Sequence, residues 1–442
     1  MSANAAAEIR RLADRVDALG LGVEMLALVR DLFPLYRSVT GAGLRETLRR
    51  VSRIAPLQLH EVPSGTSVFD WSVPKEWAFR SARLTGPDGE VIADAERCNL
   101  ELVSYSVPFA GRLSLEELQP HLFSLPDQPD RVPYRTSFYK QSWGFCLPHA
   151  KRQALPAGLY DVQIDTSLFD GSLTYGELVL PGASGDEVLI STHCCHPSLA
   201  NDNLSGIALT AQLGRLLGAL ALRHTYRFLF VPGTIGSITW LAMNREKTAR
   251  IRHGLVVAGV GNPGPLHYKR SRRGNAPVDR AAVHVLARAG APYVIRDFIP
   301  YGYDERQYCS PGFDLPVGSL TRTPFGEYPE YHTSADDPSF VDAGLLAESL
   351  RRYFEILEVL EGDEVLRNTS PFGEPQLGKH GLLGGIGGVG SLGASQMAML
   401  WVLNLSDGQS SLLGIAERSG HSFQEIRIAA EALEAAGLLV PA

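Results

Sequence analysis

From residue 174 to about 360 the chain repeats one pattern: a short apolar run, a polar or glycine-rich break, then a longer stretch with helical spacing. The runs 178–180, 187–191, 226–231 and 255–260 read as strands. The stretches 204–222, 237–243, 278–289 and 345–360 read as helices. Strand–helix alternation of this kind predicts a mainly parallel or mixed sheet covered by helices. Ligands of such sheets gather beyond the C-terminal ends of the strands. The polar clusters that follow Ser191, Val231 and Val260 fall there.

The flanks differ in character. Residues 5–36 carry apolar side chains at helical spacing (Ile9, Leu12, Val16, then Met25, Leu28, Leu32), broken at Gly20 and Gly22, and a third helix is expected over 43–53. Between about 58 and 170, short runs at 57–62, 78–85, 100–107 and 158–165 are separated by turns such as Gly86-Pro87-Asp88-Gly89, which predicts a β-rich subdomain. Its aromatics, Tyr134 among them, read as core. Residues 371–396 are rich in glycine (Gly381, Gly384, Gly385, Gly387, Gly388, Gly390) and read as a linker or loop. Helices expected over 397–405, 410–419 and 422–436 then resemble the winged-helix family. The division expected is 1–65 with 166–370 as one α/β domain, 66–165 as a β-rich insertion, and 371–442 as linker plus winged-helix-like unit.

The net charge is −7. Duplex binding needs clustered Lys and Arg, and the second helix of the helix–turn–helix offers Arg427 beside Glu425. Nucleic acid is therefore not the expected partner; a structural or homo-oligomerising role for that unit is. One basic run, Lys269-Arg270-Ser271-Arg272-Arg273, reads either as a solvated loop or as a clamp for a carboxylate. Five cysteines, two of them adjacent, do not form a disulfide framework. The first 19 residues hold no apolar core of a signal segment, and no uninterrupted apolar run reaches about 18 residues. A cytoplasmic protein without a membrane span is expected.

Two segments carry chemistry. In His193-Cys194-Cys195-His196-Pro197, followed by Asn201-Asp202-Asn203-Leu204-Ser205-Gly206, a strand delivers imidazoles into a loop and a carboxylate precedes a helix. Zinc accepts both donor types; equally, Asp202 caps the helix and the histidines bond within the loop. Far along the chain, Glu327-Tyr328-Pro329-Glu330-Tyr331-His332-Thr333-Ser334-Ala335-Asp336 supplies another His among aromatics and acids. Asp304-Glu305-Arg306-Gln307-Tyr308 lies between them.

Taken jointly, these segments resemble the co-catalytic zinc exopeptidases, and more closely an aminopeptidase-like family with an inserted β domain and a C-terminal winged helix. The resemblance implies a zinc-exopeptidase-like mixed sheet with helices on both faces. It implies zinc ligands at His193, Asp202 and His332, with His196 competing. It also implies a peptide-like or amide substrate, in polysaccharide or natural-product biosynthesis. The chain departs from the pattern twice. Where the clan has its catalytic glutamate stands Gly233, and where it has a further acidic ligand stands Asn262. With one inherited carboxylate the expectation is at most one zinc per chain, or an empty site. Glu330, Glu305 and Asp304 are the candidates to replace the missing base; Arg306, Tyr308, Arg272 and Tyr331 are the candidates for substrate binding. Two readings follow: a hydrolase with an atypical metal site and weak action on simple aminoacyl substrates, or a repurposed homologue without ordinary hydrolysis.

Overall fold

A computed structural model describes residues 2–382 and 396–442. Residues 383–395 of the glycine-rich stretch, Gly384 to Gly390 included, lie outside the described residues.

Eight strands form the central sheet: β1 (Gln58–Pro63), β2 (Ser172–Leu180), β3 (Glu187–His193), β4 (Thr225–Val231), β5 (Ile251–Val257), β6 (Leu266–Lys269), β7 (Tyr293–Arg296) and β8 (Val317–Thr321). Their order is β1-β2-β4-β3-β5-β8-β6-β7. The central four, β4, β3, β5 and β8, run parallel. β1 and β2 are antiparallel additions at one edge, and β6 pairs antiparallel with β8 near the other.

The central strands are buried on both faces, which explains their nearly continuous apolar runs. Successive side chains nonetheless sort strictly to opposite sides. Val188, Ile190, Phe228, Phe230 and Leu255 join one core, where α2 (Leu21–Leu32), α4 (Gly206–Leu217) and α7 (Ala343–Gly362) pack; α1 is Ser2–Arg15 and α3 is Ala42–Val51. Leu189, Leu229, Val231 and Val256 join a second core with α5 (Ile235–Met243) and with the insertion. Pro277–Arg288 forms α6.

The insertion builds a four-stranded antiparallel sheet of its own, in the order Val91–Asp94, Glu76–Thr85, Leu159–Phe169, Phe109–Ser114. Trp77, Leu84, Tyr160 and Val162 bury into the second core. The strand expected over 100–107 does not form. A short 3-10 turn, Asn99–Glu101, and isolated bridges stand there instead. The run is apolar because it is buried, but Ser104 and Ser106 spend their hydrogen bonds on loop neighbours rather than on a ladder. The helix expected over 204–222 ends earlier, at Leu217 before Gly218, and opens with an irregular turn, Ala200–Ser205.

At the C-terminus, α8 (Gln396–Leu405), α9 (Leu412–Ser419) and α10 (Phe423–Ala435) are joined by a three-stranded wing in which Val365–Asn368 lies between Asp407–Ser411 and Leu439–Pro441. Ser422 opens α10 with a reciprocal cap: its hydroxyl accepts from Glu425 N and its N–H donates to the Glu425 carboxylate. This unit shares the first core with α1 and α7. Phe423 N donates to His284 Nε2 of α6 at 3.0 Å, and Arg280 pairs with Glu417. No helix among the described residues is long and apolar enough to cross a membrane.

Candidate metal centre

His193 is the last residue of β3, and Asp202 sits in the irregular turn ahead of α4. Asparagine side chains tie that turn to the strand ends. Asn203 Nδ2 donates to His193 O at 2.9 Å and to Thr192 Oγ1 at 2.8 Å, while its Oδ1 accepts from Gly259 N beyond β5. Ser205 Oγ donates to Asn201 O and accepts from Val260 N. A side chain at Gly206 would meet Asn203 Oδ1 at 2.3 Å and Val257 O at 2.7 Å. The Asn, Ser and Gly of the motif are thus there to close the turn, and the turn presents Asp202.

Asp202 is fully buried and collects three imidazoles. His193 Nε2 stands 2.9 Å from Oδ1; His332 Nε2 and His196 Nδ1 stand 3.0 Å and 3.4 Å from Oδ2. Burial alone would raise the Asp202 carboxyl, but the imidazoles, His196 foremost, hold it well below the usual carboxylate range. Burial pulls His193 and His332 down, against the lift from Asp202. His193 and His332 therefore favour the neutral form, which is the state that binds metal, beside one carboxylate.

The loops around this cluster are held from several directions. Asp336 accepts from Asn201 N at 2.6 Å and Asp202 N at 3.0 Å. Arg37, fully buried, donates from Nε to His196 O at 2.8 Å. Tyr134 of the insertion donates its N–H to His332 O at 2.7 Å and sets its ring edge against both His196 and His332. Tyr331 stacks on His332 with centroids 3.9 Å apart, and Tyr303 stacks on His193 at 5.5 Å. Sequence reasoning assigned Tyr134 to the core and did not single out Asp336 or Tyr303. Asp336 closes the quoted His332 motif, and Tyr303 adjoins Asp304, so proximity in sequence was the available signal.

The two departures have distinct structural answers. A Cβ at Gly233 would lie 3.1 Å from His193 Cβ and 3.5 and 3.6 Å from the two carboxylate oxygens of Asp304. Asp304 therefore brings its carboxylate, from another loop, to the space that a side chain at 233 would enter. Its Oδ1 accepts from Ser237 Oγ at 3.0 Å, and its Oδ2 has no hydrogen-bond partner among the described residues. Burial pushes this carboxyl up to about 7, against the bond from Ser237. Asn262 instead spends both ends of its amide on Thr323, donating to its O at 3.0 Å and accepting from its N at 3.2 Å.

The other sequence candidates scatter. Glu305 is buried and paired with Lys269 at 2.6 Å. Glu330 is half-buried and faces Arg131 at 3.4 Å. Tyr308 is wholly in the core, bonded to Ser191 Oγ at 2.8 Å. Arg272 pairs with Asp314 at the surface, and Arg306 lies over the Tyr301 ring at 5.4 Å. The structure brings together His193, His196, Asp202 and His332, with Tyr331 on one imidazole and Asp304 beside Gly233.

A zinc-aminopeptidase-type α/β sheet with a cluster of imidazoles and one carboxylate at its strand ends, followed by a winged helix, defines the class. Residues 26–363 match the family described as a domain of unknown function, DUF4910, and the chain belongs to that family. Residues 364–441 match a winged helix-turn-helix family. A relative from Clostridium acetobutylicum is 46% identical over 418 residues, covering 95% of this chain and 96% of the relative; its name describes a polysaccharide biosynthesis protein with an aminopeptidase-like domain. The crystal structure of a protein described as a peptidase from Clostridium acetobutylicum is similar over 99% of this chain and 100% of its own, at a TM-score of 0.93 and 43% identity. The zinc aminopeptidase BSAP from Bacillus subtilis shares the fold at a TM-score of 0.57 and 13% identity, over 76% of this chain and 94% of its own.

Proposed function

We propose that this chain is a hydrolase of a peptide-like amide in a biosynthetic pathway, with one zinc ion held by His193, Asp202, His332 and His196. The convergence of three imidazoles on a fully buried Asp202 carries the reading. Three imidazoles and one carboxylate fit a single dication; a second would need further carboxylates to offset the repulsion. Zinc bound there supplies Lewis acidity toward a carbonyl oxygen.

The remaining work falls to the chain itself. Asp304 is the carboxylate placed to take a proton from the attacking water and return it to the leaving nitrogen, the duty that Gly233 cannot perform. Tyr134, Tyr303 and Tyr331 wall the imidazoles, and 31% of the His332 side chain stays open to solvent. The relative named for polysaccharide biosynthesis supports a substrate outside general peptide turnover. The second reading, a homologue without hydrolysis, draws on Asn262, whose amide is committed to Thr323.

Zinc titration of chelator-stripped protein tests the proposal. One saturable site per chain, lost in Asp202→Asn and His332→Ala, is expected. A wild-type chain that takes up no zinc removes the reading.

A further inference from the structure

Among the charged side chains that the sequence singled out, Arg306 is left without a counter-charge. It is half-buried, yet it holds no hydrogen bond or ion pair among the described residues. Arginines of equal or deeper burial are committed: Arg37 to backbone carbonyls, Arg131 to Pro329 O and Glu330, Arg227 to Glu177 and Glu187. The Nε of Arg306 is enclosed, so no ligand reaches it; its two terminal nitrogens are not enclosed and carry no bond either. A guanidinium half-withdrawn from water and left unpaired is costly, and its flat fork fits two oxygens of a carboxylate or phosphate.

Its place ties it to the metal cluster. Arg306 lies two residues after Asp304, in the short helix Glu305–Tyr308, and its charge reaches the Asp304 carboxyl, where it opposes the upward push of burial. The guanidinium sits over the Tyr301 ring at 5.4 Å. From there a row of rings leads back to the imidazoles. Tyr301 meets Phe325 at 5.5 Å, Phe325 meets Tyr331 at 6.3 Å, and Tyr331 stacks on His332 at 3.9 Å. Tyr301 is 63% exposed, so the row opens to solvent at the Arg306 end.

The acids nearby do not offer the opposite choice, a seat for an ammonium. Asp202 is taken by imidazoles, Glu305 by Lys269 and Glu330 by Arg131. Asp297 is 98% exposed and faces Arg270 at 3.8 Å, so water and that neighbour screen it. The charge left unspent beside the ring row is positive.

We infer that Arg306 is a specificity-determining residue that anchors an anionic group of the substrate, a carboxylate or a phosphate, on its two terminal nitrogens. The ring row then carries the body of the substrate toward His332. That the anion belongs to an amide substrate rests on the proposed hydrolase reading; the anion site itself does not. Simple aminoacyl amides, which bring an ammonium and no anion, meet a like charge there.

Calorimetric titration of the chelator-stripped full chain tests the site, because no zinc is then present to take the anion. The probes are N-benzoylglycine, its neutral amide and phenyl phosphate. At least one of the two anions should bind saturably and weaken as salt rises, and the neutral amide should bind at least about tenfold more weakly. The preference between carboxylate and phosphate shows which anion the substrate carries. Arg306→Gln should weaken anion binding about tenfold or more, and Arg306→Lys should keep part of it. Arg252→Gln, which removes an exposed arginine paired with Asp186, should bind as the wild type does. Since Arg306 makes no hydrogen bond among the described residues, Arg306→Gln should leave the melting temperature nearly level, which separates lost contact from lost fold. No binding by either anion, equal binding of the neutral amide, or binding untouched by Arg306→Gln overturns the inference. Anion binding by a chain that takes up no zinc keeps the anchor and discards the hydrolase.

Discussion

The base role proposed for Asp304 is isolated by a swap with position 233. Asp304→Ala should cut amide turnover about 10²–10⁴-fold while leaving zinc content unchanged. Adding Gly233→Glu to that variant should restore part of the loss, since the space beside His193 is then vacant. Gly233→Glu alone should not help, because a second carboxylate would share the space of Asp304 and its Cβ would crowd His193 Cβ at 3.1 Å. Equal turnover in wild type and Asp304→Ala would reject the assignment. Asn262→Asp is expected to cost about 1–3 kcal/mol in denaturant unfolding without added metal, since a carboxylate cannot donate to Thr323 O. That His193 and Asp202 lie together was legible because only nine residues separate them, whereas His332, 130 residues from Asp202, was expected there only from the resemblance. The place of Asp304 was not, since no local pattern in the sequence brings residue 304 beside residue 233.

The elements divide along the same line. The helices and strands of the central sheet were readable because burial on two faces imposes long apolar runs. The run 100–107 looks the same in sequence, yet no neighbouring strand offers it a ladder, and apolar content alone does not reveal a missing partner. On α7, Glu358 is nearly enclosed, and burial pushes it up to about 7; Arg10 and Arg427 oppose the shift, while Glu355 and Asp14 add to it. Its folded value lies above its unfolded one, so the native state holds the proton longer and stability falls as pH rises from about 4 to about 7. Glu358→Gln should flatten this decline and gain roughly 3 kcal/mol above pH 7, read by chemical denaturation across the pH range. An unchanged slope would show that the charge is already solvated.

Across the whole molecule, the C-terminal unit presents its apolar side to the α/β body. Phe423, Ile426 and Leu433 of α10 share one core with Ile9 of α1 and with Tyr353 and Leu360 of α7. A chain ending at residue 368 should therefore melt well below the full chain and expose apolar surface to a dye such as ANS. A truncated chain as stable as the full one would make the unit a mere appendage. The winged-helix unit at the end of the chain was readable from the shift in pattern. How closely the tail packs was not, because which apolar faces meet is a property of the assembled body.

The hold of the insertion on the His332 loop has a consequence for biogenesis. Tyr134 N bonds His332 O, and Val132 exchanges bonds with Ser334 on either side of it. His332 is thus seated by a segment some two hundred residues earlier in the chain (132 against 332), which belongs to no named strand and meets the loop through an isolated bridge between Pro133 and Thr333. On the proposed zinc site, metal loading would come last, once the 132–134 segment and the 332 loop have met. On the same proposed site, a chain with a misfolded insertion would present an incomplete donor set, and metal occupancy would then report correct assembly.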